Sequence, residues 1–171
     1  YDTHGLTAGN GRKLDQQLTT FCAMIDISGL VDSMRAVKSD AEIEKSRQAA
    51  ELADEALDAA LPLIKAGADE GRILAAMHSA IFEGGGDYPG NEFIIGSGAD
   101  ALLCRYKAGR RILDTNDQLT LEWSGVYHHY HAAMMRTIVI GEPKARHHEL
   151  HEAAVAALTG CELAMMPGNT F

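Results

Sequence analysis

With 171 residues, 46% of them hydrophobic and 23% charged, the chain is long enough to bury a core of its own. A formal net charge of −9 excludes nucleic acid as the expected partner, because phosphate binding needs a concentrated basic surface. No apolar run approaches the roughly eighteen residues of a membrane span, Tyr1–Arg12 carry no apolar signal-peptide core, and Cys22, Cys104 and Cys161 lie too far apart for a zinc spacing or a disulfide framework, so reduced thiols in a cytoplasm are expected.

Along the chain, residues 1–32 read as a loop followed by a short extended or mixed segment around Cys22–Leu30. Ser39-Asp-Ala-Glu42 is a capping box. Behind it Ile43, Ala50, Ala53, Leu57, Leu61 and Ile64 recur at helical spacing, predicting one face of a helix that ends near Gly67. A second helix is predicted from about Asp69, carrying Ile73, Leu74, Met77, Ala80 and Ile81 and stopped by Gly84-Gly85-Gly86. Strand-like runs follow at Phe93–Ser97, Gln118–Trp123 and Tyr130–Ile140. The last helix spans about Ala145 to Met166, with Leu150, Ala154, Ala157, Cys161 and Met165 along it. Pro167-Gly168 closes it, and Asn169-Thr170 reads as the cap of a further helix, so a chain cut short is expected. The order is helix–helix–strands–helix, an α+β unit.

The stretch Gln118-Leu-Thr-Leu-Glu122-Trp-Ser-Gly125, followed by Tyr127-His-His-Tyr130-His131, alternates as a strand does. A two-residue turn at either Ser124-Gly125 or His128-His129 places Gln118, Thr120 and Glu122 on one face with His129, His131, Ala133 and Met135. Leu119, Leu121, Trp123 and Tyr130 then hold the other face. The polar face has two readings. It is a catalytic or ligand-binding surface with Glu122 as acid, base or nucleophile, or it is a solvated outer face that requires no chemistry. The histidines make a poor metal cluster, because adjacent strand residues such as His128 and His129 point to opposite sides.

Three further features have bland readings beside the chemical ones. Glu83-Gly-Gly-Gly-Asp-Tyr-Pro-Gly90 lacks the Lys-Ser/Thr of a phosphate loop and follows a helix, which leaves a flexible loop or a pocket rim. Cys104 beside Arg105 reads as a thiolate nucleophile or, more simply, as a small apolar residue. Arg136 falls opposite Glu122 and is expected in a structural ion pair.

Arg35-Ala-Val-Lys-Ser-Asp-Ala-Glu42-Ile, leading into an Ala-rich helix, resembles the start of the catalytic domain in the creatinase, prolidase and aminopeptidase P family. Ser97-Gly98, Tyr106, Asn116-Asp117, Glu122 through Arg136-Thr137, and Gly141 follow that family's order and spacing. Pro167-Gly168-Asn-Thr170 is similar to its helix–Pro-Gly–helix joint. The resemblance covers roughly residues 33–171. It implies the α+β pita-bread fold, with 33–171 as the first half of the catalytic domain and 1–32 as the tail of a preceding domain and its linker.

The resemblance also implies where metal ligands would stand. Metal-dependent members place an aspartate at Glu122, a second one eleven residues on at Ala133, and a histidine at Arg105. Paired divalent ions need several carboxylate oxygens, whereas alanine offers none and arginine would repel them. The remaining ligands that the family implies, a histidine and two glutamates, would follow Phe171. Among metal-free relatives, creatinase cleaves a C–N bond of a small guanidino compound, and ectoine hydrolase has a segment similar to Glu122, Gly125, Tyr127, Tyr130 and His131.

The expectation is therefore a metal-independent hydrolase without a cofactor, cleaving a C–N bond of a small polar, amino-acid-derived compound. Glu122 and His131 are its candidate catalytic residues. Arg105, a fixed cation suited to a substrate carboxylate, joins Tyr106, Tyr127 and Tyr130 as candidate substrate contacts. One rival is a metal-dependent Xaa-Pro dipeptidase or aminopeptidase with Glu122 as a ligand. The other is a catalytically inactive binding or scaffold protein. The resemblance implies a homodimer acting on a small molecule, with neither membrane nor nucleic acid as partner.

Overall fold

A computed structural model describes residues 6–27, 29–102 and 109–170. The chain divides into two compact units, one up to Ile43 and the other from Glu44.

In the first unit, helix α1 (Ala8–Leu18) stands where a loop was expected. Two glycines inside it disguise it in the sequence, but Thr7 caps it, its side chain accepting from the Asn10 amide at 3.3 Å. Residues 23–27 take no regular structure, so the expected extended segment is not a strand. The strands of the described residues all lie in the second unit, and residues 23–27 have no partner strand. Gly29, at φ +80°, leads into α2 (Leu30–Ala36).

Helix α3 runs from Asp40 to Ala60. The Glu42 carboxylate reaches back to the Ser39 amide at 2.7 Å, as a capping box requires. The Ser39 hydroxyl departs from the pattern and donates to that same carboxylate oxygen, also at 2.7 Å. The buried face of α3 is Ala49, Leu52, Ala53, Ala56 and Ala60, while Ile43 and Leu61 are exposed. Of the predicted stripe, Ala53 is buried and Leu57 and Ile64 pack against the core, but the buried face turns toward the alanines because the helix lies almost on the sheet. A Cβ on Gly125 would come within 1.9 Å of the Ala49 carbonyl oxygen and 2.5 Å of the Ala53 nitrogen. Beside that contact the Trp123 indole N–H donates to the Ala53 carbonyl at 2.9 Å.

Helix α4 (Glu70–Glu83) follows its prediction closely. The Asp69 carboxylate caps it by accepting from the Gly71 amide at 2.8 Å. Ile73, Met77 and Ile81, one face by helical spacing, are fully buried.

Strands β1 (Ile94–Ser97), β2 (Asp117–Tyr127) and β3 (Tyr130–Ile140) form an antiparallel sheet in that order. Leu119, Leu121 and Trp123 of β2 pack with α3 and α4 residues in the core, while the even-numbered residues between them stay half-buried. Of the two possible turns, the chain uses His128-His129, at φ +48° and +67°. Two consecutive positive φ values suit the twist of a two-residue hairpin, and histidine is among the non-glycine residues that tolerate them best. Gly125, the rival turn residue, serves the helix contact instead. Helix α5 (Ala145–Ala164) has no buried residue and lies where the sequence placed it.

Candidate active-site cleft

The β2–β3 register decides which side chains meet. Glu122 pairs with Met135, Ser124 with Ala133, and Val126 with His131. Directly paired residues project from the same face of a sheet, so Glu122, Ser124, His131 and Ala133 share one side. Together with Gly90, Asn91, Glu92 and Phe93 they line a cleft of about 420 Å³. Asn91 and Glu92 escaped the sequence reading because they sit in a loop with no motif. Their one signal was the glycine-rich stretch before them, which does serve as the rim.

That rim is laced to the hairpin. The Asp87 amide donates to the Val126 carbonyl at 2.9 Å, and the Asp87 carboxylate accepts from the His129 amide at 3.1 Å. Gly86 fits only as glycine, because a Cβ would lie 2.8 Å from both the Ile81 and Val126 carbonyl oxygens. The Gly90 amide donates to Nε2 of His131 at 2.9 Å. Nδ1 of the same ring lies 2.8 Å from the His129 carbonyl oxygen. Both imidazole nitrogens are thus engaged with backbone. His131 lines the cleft, and in this arrangement its ring is held in place by the rim and by the turn.

Tyr127 and Tyr130 stand apart from this cleft. They pair with each other across the hairpin and share the face of Trp123, away from Glu122. The Lys45 ammonium sits 5.0 Å from the Tyr127 ring centroid, and Tyr127 packs against the core. Neither tyrosine belongs to the cleft. Arg136 does fall opposite Glu122, and its guanidinium donates to the Met135 carbonyl at 2.8 Å; among the described residues it forms no ion pair. Arg105, Tyr106 and Cys104 lie outside the described residues.

Behind the cleft, the Phe93 ring stacks on His78, with centroids 4.1 Å apart and planes 10° from parallel. Burial there lowers the His78 pKa from its ordinary value of 6.5 and favours the neutral ring. At the start of β2, burial pushes the Asp117 carboxyl up. The Asp114 and Gln118 amides, the Arg111 guanidinium at 3.6 Å and the Gly98 amide more than offset this and hold it below the usual carboxylate range. Arg111 also donates to the buried Ser97 hydroxyl at 2.7 Å, fixing the end of β1 against β2.

The family model for metallopeptidase family M24 matches residues 44–171. The chain belongs to that family. The Xaa-Pro dipeptidase of Pyrococcus furiosus is 29% identical over 144 residues, covering 84% of this chain and 41% of the relative. The Xaa-Pro dipeptidase of Pyrococcus horikoshii is 28% identical over the same span, with the same coverage. Among solved structures, the X-Pro aminopeptidase of Thermotoga maritima superposes with a TM-score of 0.80 at 27% identity, over 89% of this chain and 42% of that one. The prolidase of Pyrococcus horikoshii gives 0.81 at 26%, over 92% and 45%. The chain thus spans about two fifths of the length of the relatives it matches. Helices α3 to α5 and the antiparallel sheet are the N-terminal part of the pita-bread catalytic domain, as the resemblance to creatinase, prolidase and aminopeptidase P implied.

The family name raises the question of metal. Among the described residues no three His, Cys, Asp or Glu side chains converge in a way that could hold an ion. On the cleft face of the hairpin, Glu122 brings a carboxylate and Ala133 brings no donor. The donor set described here does not fit a pair of divalent cations.

Proposed function

We propose that this chain carries part of the active site of a peptidase-type hydrolase that cleaves a C–N bond in Xaa-Pro dipeptides or peptides. The observation that carries this reading is the placement of Glu122 on the open face of the sheet, in a cleft with Ser124 and under the Gly90–Glu92 rim. The names of the dipeptidase and aminopeptidase relatives support the substrate class. Glu122 acts as general base on a water directed at the scissile carbonyl and returns the proton to the departing nitrogen. The Ser124 hydroxyl and the Asn91 amide supply neutral hydrogen bonds to the peptide.

A second reading is metal-independent hydrolysis of a small polar, amino-acid-derived compound, and Ala133 is the observation that favours it. Arg105 and Tyr106 belong to the substrate contacts under either reading. A homodimer completes the proposal. The deciding experiment assays Xaa-Pro dipeptides and small amino-acid-derived amides, each with and without a chelator, alongside metal analysis. Cleavage of the dipeptides supports the first reading, and its loss with a chelator would make Glu122 a metal ligand instead of the base. Cleavage of the small amides at full rate in metal-free protein supports the second. No cleavage of either substrate class, with the cleft intact, defeats both and leaves a binding protein.

A further inference from the structure

We propose that His131 is a positioning residue whose neutral ring ties the Gly90–Glu92 rim of the cleft to the β2–β3 hairpin. The inference assumes the cleft is the working site, but its test does not require turnover. An amide nitrogen is only a donor, so the 2.9 Å contact from Gly90 makes Nε2 the acceptor. The ring proton then sits on Nδ1, where the His129 carbonyl receives it at 2.8 Å. One imidazole thus bridges residues 41 apart in sequence, the Gly90 rim and its own strand. The bridge requires the neutral ring. A proton on Nε2 would set two N–H donors against each other and release Gly90.

Glu92 and Glu122 line the same cleft, Asp87 lies on the rim loop with its carboxylate on the His129 amide, and His128 and His129 form the turn. Protonation of the ring therefore frees the Gly90 end of the rim beside Glu122, while the Asp87 bonds to Val126 and His129 and the sheet below stay in place.

The test follows amide hydrogen exchange at Gly90, relative to buried helix α4, in wild type, His131→Gln and His131→Phe as pH is lowered. Loss of one hydrogen bond predicts about fivefold faster exchange at Gly90. Wild type should show this as a step on acidification, and His131→Phe should show it at every pH. His131→Gln keeps an acceptor that does not titrate, so it should stay protected throughout. Imidazole nitrogen shifts in wild type, which need no variant, should report a proton on Nδ1 at neutral pH. A proton on Nε2, or protection of Gly90 equal in wild type and His131→Phe, would overturn the inference. Should exchange behave as predicted while Glu122→Gln leaves hydrolysis intact, the catalytic reading fails and the tie stands.

Discussion

Gly125→Ala isolates the contact on which the packing of α3 against the sheet depends. The added methyl would sit 1.9 Å from the Ala49 carbonyl oxygen, 2.5 Å from the Ala53 nitrogen and 3.1 Å from the Ala49 carbonyl carbon. All three atoms are helix backbone, so no side chain can swing aside. The helix must lift off the sheet, stretching the 2.9 Å bond from Trp123 to Ala53 and loosening the alanine face. Overpacking a core by one methyl costs about 1–3 kcal/mol, and a clash with backbone belongs at the upper end or above it. For a chain of this size that corresponds to a fall in Tm of roughly 6–12 °C. Gly160→Ala is the matched control: α5 offers open space there, with nothing within 4 Å of the new Cβ. In a helix interior alanine is better than glycine by about 1 kcal/mol, so this variant should hold or raise Tm. Thermal melts followed by circular dichroism read both. A Gly125→Ala protein melting within about 2 °C of wild type would refute the close approach of α3.

Asp69→Ala removes the cap of α4 and should cost about 1 kcal/mol in a denaturant melt, with Asp69→Asn or Asp69→Ser recovering most of it. His78 is held neutral, its pKa lowered by burial, so the unfolded chain binds the proton first as pH drops. Stability from this residue is full above pH 6.5 and declines below it. His78→Phe, which keeps the stack on Phe93, should flatten that decline in a pH series of urea melts. Asp117, with its pKa lowered, contributes above its unfolded value of 3.8 and loses the contribution only under stronger acid. Asp117→Asn should therefore lower stability at neutral pH and flatten the acid limb below His78's window in the same melts.

The parts of the fold legible in the sequence are those written in local chemistry. Asp69, the 73–77–81 spacing and three glycines specify α4 from end to end. The alternation of Leu119, Leu121 and Trp123 with Thr120 and Glu122 announced both β2 and its faces. The burial of α3 was harder to see. The predicted stripe shares only Ala53 with the buried face, and only the approach to Gly125 shows that a row of alanines makes the contact. Helix α1 rests on a cap and contains Gly9 and Gly11, which argue against a helix by propensity.

The site divides along the same line. Glu122 and Ala133 came to one face by register alone, since pleat and turn length determine it. Parity also assigns Tyr127 and Tyr130 to the other face, but their match to a family motif outweighed that in the sequence reading. Both nitrogens of His131 being occupied is a tertiary fact, made by a loop forty residues upstream, and no local pattern encodes it.

The most direct test of the central claim is the hydrolysis rate of Glu122→Gln on Xaa-Pro dipeptides and on small amino-acid-derived amides, compared with wild type of equal Tm. The substitution keeps the shape of the side chain and removes the base. If Glu122 carries the proton, kcat should fall by roughly a hundredfold or more with KM little changed. A variant that folds as wild type does and turns over either substrate at the wild-type rate would contradict the account.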